Sequence, residues 1–74
     1  MEQNTFRIKA YGFQELAICY APELTPRSAT QRLLHWVMMS GELYAALQRV
    51  GWCKGKRTLT PLQVQVLVNY LGEP

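Results

Sequence analysis

Aspartate is missing from this chain altogether, so all five acidic residues are glutamates, and His35 is the only histidine. A Ser-His-Asp triad therefore cannot form, and Glu15, Glu23 and Glu42 are too scattered to argue for a paired acid and base. Cysteine is scarce as well. Cys19 and Cys53 are the only thiols, with no Cys-x-x-Cys pair and no histidine at metal spacing, which argues against a zinc motif or a disulfide framework. Both are expected to be core thiols in a reducing compartment. No glycine-rich phosphate cradle is present. An enzyme, a metal, a cofactor and a small-molecule substrate are accordingly not expected.

Long apolar runs are also lacking. The stretch LLHWVMM falls far short of the roughly 20 residues that cross a bilayer, and the opening MEQNTFRIKAYG lacks the basic start and apolar run of a signal peptide. A cytoplasmic protein with no membrane partner is expected.

What is present is a foldable composition: 49% of the 74 residues are apolar and 18% charged, which excludes disorder. A domain this small buries only about 60% of its unfolded surface, so its stability is thin and oligomerisation would help. The net charge of +3 permits a polyanionic partner without requiring one, so clustering of the cations decides.

Phe6, Ile8 and Ala10 alternate with Arg7, Lys9 and Tyr11, which predicts a half-buried strand with the second set outward, ending at Gly12. Phe13, Leu16, Ala17 and Tyr20 have helical spacing, and Pro22 stops that helix. Thr25-Pro26 then opens a helix over 25–39 with a capping hydroxyl and a ring suited to the first position. Its apolar stripe is Ala29, Leu33, Trp36 and Val37, opposite Arg27, Gln31, His35 and Met38. Ser40 caps a further helix carrying Leu43, Ala46, Leu47 and Val50, which Gly51 closes. The span WCKGKRT has no helical period and predicts a basic loop or small hairpin around Gly55. Thr60, Pro61 and Gln63 form a capping box for the last helix. That helix has a main stripe of Val64, Leu67, Val68 and Leu71, and a second one of Leu62, Val66 and Tyr70. Trp36 and Trp52 are expected in the core.

The order of these elements predicts a mostly α fold: a small, optionally winged, helix-turn-helix domain of about four helices over 5–74, with a flexible 1–4. Its short N-terminal strand would pair with residues 56–59, gathering Arg7 and Lys9 beside the basic loop. Leu16-Ala17, Tyr20, Leu24, Thr25-Pro26 and Ala29 fill the helix-turn-helix roles in order, although Pro22-Glu23 lengthen the turn by two residues. In such units the second helix enters the major groove. Arg27, Ser28, Gln31 and His35 would then face bases, since Arg suits guanine and Gln suits adenine. Lys54, Lys56 and Arg57, in the 53–58 wing or loop, would hold phosphates of double-stranded DNA. The same residue types also occur on any solvated surface. A second reading therefore stands beside the first: a protein-interaction module or homodimer using Leu34, Met38, Leu62, Val66 and Tyr70.

The segments YGFQELAICYAPELTP, LLHWV, LYAALQRVGW and, most specifically, LTPLQVQVLVNYLGEP together resemble a family of short Bacteroidetes proteins known as domain of unknown function 4248. The resemblance runs from about Phe6 to Pro74. It implies a compact helical fold and, through loose similarity to excisionase and MerR-type proteins, DNA binding, but no assigned activity or site residue. Leu34 and Met38 are apolar where the family implies more polar residues.

Overall fold

The computed structural model describes residues 6–74; the expected flexible segment 1–4 lies outside them. The chain runs β1 (Tyr11–Gly12), α1 (Phe13–Tyr20), α2 (Pro26–Met39), α3 (Gly41–Arg49), β2 (Thr58–Leu59) and α4 (Pro61–Leu71). The mostly helical expectation holds, and so does the pairing of the N-terminal strand, since β1 and β2 form an antiparallel ladder with Tyr11 opposite Leu59 and Gly12 opposite Thr58.

The helix boundaries follow local chemistry. The Thr25 hydroxyl accepts from the Ser28 amide at 3.2 Å ahead of Pro26. Ser40 does the same for Leu43, so one residue ends α2 and starts α3. At α4, Thr60 and Gln63 cap each other at 3.2 and 3.0 Å. Each such cap is worth about 1 kcal/mol. After α3 the chain turns through Gly51, whose φ of 94° is open to glycine without strain. That turn drops Trp52 into the core at 1% exposure.

Helix α1 packs chiefly on α2, and α3 bridges α2 and α4. Leu16, Ala17, Ala29, Leu33, Val37, Leu43, Leu47, Leu59, Val64 and Leu67 form the core around Trp52. The indole stacks on Phe13, centroids 5.5 Å apart, and meets Tyr44 edge-on at 6.2 Å. Gln63 is the one buried polar side chain among the described residues. Its amide N–H reaches the Val50 carbonyl at 2.8 Å while its oxygen accepts from the Thr60 amide, so it satisfies the end of α3 and the start of α4 together.

Three expectations are corrected. The N-terminal strand is two residues long, and its facing holds only in part: Phe6 packs inward and Arg7 and Lys9 are exposed as expected, but Tyr11 is buried whereas Ile8, at 40%, and Ala10 are exposed. The chain bends at Lys9, because the Tyr11 hydroxyl donates back to the Arg7 carbonyl at 3.0 Å, and an extended strand would carry that carbonyl about 13 Å away along the chain. Phe6 stacks on the Tyr11 ring at 5.5 Å, and the Lys9 ammonium lies 4.8 Å from the ring centre. Cys19 and Cys53, expected in the core, are both exposed. Cys19 lies off the buried stripe of α1, and at Cys53 the inward position has gone to the neighbouring Trp52. Trp36 is half-buried on the rim, edge-on to Tyr20 at 6.2 Å.

Candidate nucleic-acid interface

The expected helix-turn-helix would correspond to the α1–α2 pair. The turn between them is closed by hydrogen bonds from the Ala21 amide to Ala17 at 3.0 Å and from the Leu24 amide to Ala21 at 3.1 Å. Glu23, part of the two-residue lengthening, meets Arg32 at 3.9 Å across α2. Both side chains are solvated, so the pair contributes at most about 1 kcal/mol.

Ala29, Leu33 and Val37 turn one side of α2 into the core, which leaves Arg27, Ser28, Gln31 and His35 exposed on the other. At about 100° per residue these four spread into two groups. Arg27 and Gln31 share a flank with Leu34 and Met38, while Ser28 and His35 lean toward Arg32 and Met39. Among the described residues none of the four side chains has a hydrogen-bond or ion-pair partner.

The basic turn is tied to α1. The Phe13 amide donates to the Arg57 carbonyl at 2.7 Å, and the Lys56 amide closes the turn onto Cys53 at 3.1 Å. Gly55, at φ 102°, makes the reversal. Lys54, Lys56 and Arg57 are all exposed. The Lys56 ammonium bonds the Gly51 carbonyl at 3.0 Å, whereas the Lys54 and Arg57 side chains have no partner among the described residues. The expected gathering of Arg7 and Lys9 in strand register with this turn does not occur, since both precede β1.

Between the turn and α2 lies an open groove of about 630 Å³. Thr30 and Leu34 form its α2 wall, Gly12 to Glu15 the start of α1, and Gly55, Lys56 and Arg57 the side made by the turn, with Trp52 also lining it. Sequence reasoning missed Gly12, Gln14, Glu15 and Thr30. Their only sequence signal is the Gly-x-x-Glu spacing that lets the Glu15 carboxylate accept from the Gly12 amide at 3.1 Å. The Trp52 indole N–H is sealed from solvent and has no acceptor among the described residues, a cost of about 1–3 kcal/mol.

The residues of the second expected group differ in exposure. Leu62 is 59% exposed and Tyr70 44%, but Val66 and Leu34 are half-buried and pack against the core. Met38 is exposed on α2. On the far side from the groove, the Tyr20 hydroxyl donates to the Gly72 carbonyl. Burial pushes the Tyr20 phenol up to about 12, and the nearby Cys19 and Glu73 charges add to this. No described helix is long and apolar enough to cross a membrane.

No curated protein and no solved structure matches the chain. A family model does: that of DUF4248, a domain of unknown function, over residues 7–74, nearly the whole chain. The protein accordingly belongs to the DUF4248 family.

Proposed function

We propose that this domain is a DNA-binding module without catalytic activity, acting in the cytoplasm. The N-terminal half of α2 enters the major groove and the turn at 53–58 serves as a wing on the phosphate backbone. The observation that supports the reading is the shared groove: Thr30 and Leu34 of α2 line it together with Lys56 and Arg57 of the turn, so the helix proposed to read bases adjoins the turn proposed to hold phosphates. The exposed, unpartnered Arg27 and Gln31 supply base-reading chemistry on the same flank. Two exposed thiols suit a reducing compartment.

About four phosphate contacts, those of Lys54, Lys56 and Arg57 among them, imply a slope near −3.6 for log affinity against log salt. Fluorescence anisotropy of a labelled duplex across a salt series tests this. Absent or salt-independent binding overturns it.

A second reading is favoured by a separate observation. From Thr58 to Gly72 the chain carries no charged residue, yet Leu62 and Tyr70 remain exposed on α4. An uncharged face of this kind meets a second copy without like-charge repulsion, and half-site binding commonly uses dimers. Sedimentation of wild type against Leu62→Asp tests it: a concentration-dependent dimer lost in the variant supports self-association, and a monomer in both ends it.

A further inference from the structure

The groove between α2, the start of α1 and the basic turn has a composition that DNA contact alone does not require. Its volume of about 630 Å³ lies within the roughly 300–1,000 Å³ range of small-molecule sites. Apolar and charged groups in it are segregated. Leu34 and the edge of Phe13 supply apolar surface over the buried Trp52, while Lys56 and Arg57 supply cations along the turn. Leu34, apolar where a solvated helix face would be polar, is thereby explained as a groove wall.

We propose that this groove binds a small amphipathic anion, an aromatic or aliphatic body carrying one carboxylate or phosphate. The body lies against Leu34 and the exposed edge of Phe13, above the buried Trp52, and the charged end meets Lys56 and Arg57. Charge sets this orientation. Arg57 has no partner among the described residues, and Lys56 spends one donor on the Gly51 carbonyl, leaving two for a ligand. The opposing carboxylate, Glu15, is held by the Gly12 amide at 3.1 Å and disfavours an anion at the α1 end. Because Lys56 and Arg57 also belong to the proposed wing, occupancy would compete with phosphate contacts and make DNA binding ligand-sensitive.

The test is an NMR titration of the free protein, without DNA, so that its failure leaves the DNA reading untouched. The indole N–H resonances of Trp52 and Trp36 are followed on adding naphthalene-2-carboxylate, its uncharged amide, or inorganic phosphate. The expected result is a saturable shift of the Trp52 resonance with the carboxylate, at least tenfold weaker with the amide or in Arg57→Gln, and none with phosphate alone. Arg57 is exposed, so that variant is expected to keep the fold, which its dispersed spectrum checks; Leu34→Asn should weaken binding similarly. No saturable shift, a shift confined to Trp36, or equal binding of the amide overturns the proposal. A matching shift with inorganic phosphate overturns the amphipathic part.

Discussion

The two exposed helix faces differ in what lies beside them. Helix α2 presents polar and cationic side chains next to a turn rich in lysine and arginine, with an apolar groove between. Helix α4 presents Leu62 and Tyr70 within a stretch of fifteen residues, Thr58 to Gly72, that has no charge of either sign. Both helices start with the same Thr-Pro device, so local signals do not separate them. The surroundings do. On the proposed reading, a polyanion would be drawn to the first face through long-range charge, which salt screens, whereas the second face would act through contact, which salt hardly affects.

The largest way to break the comparison is to remove the residue beneath the first face. Trp52→Ala should cost about 3–5 kcal/mol, comparable to the whole stability of so small a domain. Urea denaturation would then find both faces lost together. Trp52→Phe, which keeps the ring and removes the orphan N–H, should be far milder.

On the proposed reading, replacing Lys54, Lys56 and Arg57 by alanine should weaken duplex binding about a hundredfold at 0.1 M salt and flatten the salt slope by about 2.7. On a duplex holding a single half-site, Leu62→Asp should leave both unchanged. An equal loss in the two variants would erase the distinction between the faces.

Gln63→Leu probes the joint between α3 and α4. It strands the Val50 carbonyl and the Thr60 amide, with an expected loss of about 1–3 kcal/mol in chemical denaturation. A cost under about 0.5 kcal/mol would mean that water replaces both bonds.

A smaller effect is expected at the contact between Tyr20 and the C-terminal end of α4. Its phenol is held up at about 12 in the folded chain, against about 10 when unfolded. The neutral form is therefore favoured by folding. This contribution is complete below pH 10 and is lost as pH rises toward 12, and solvent screening of the half-buried ring keeps it modest. Denaturation midpoints across pH 9 to 12 should fall less in Tyr20→Phe than in wild type.

The smallest effect belongs to Leu62→Asp. Leu62 is well exposed at the second position of α4, where a carboxylate suits the helix dipole. Monomer stability should move by no more than about 0.5 kcal/mol, so any change in sedimentation reports the interface alone.

Sequence by itself determined the helices, because their signals act within about four residues. Thr25, Ser40 and Thr60 cap, Pro26 and Pro61 start, and Gly51 and Gly72 end, all as the structure has them. The outward set Arg27, Ser28, Gln31 and His35 followed from helical period, and the partner of the first strand from chain order. Tertiary structure alone decided the rest. Whether Tyr11 or Ile8 turned inward depended on Phe6 and on a hydrogen bond back to Arg7, which no alternation rule contains. Which of Trp52 and Cys53 filled the core depended on where α3 released the chain. The groove formed because the Phe13 amide bonds the Arg57 carbonyl across forty-four positions, and only packing of the intervening helices brings those two groups within reach.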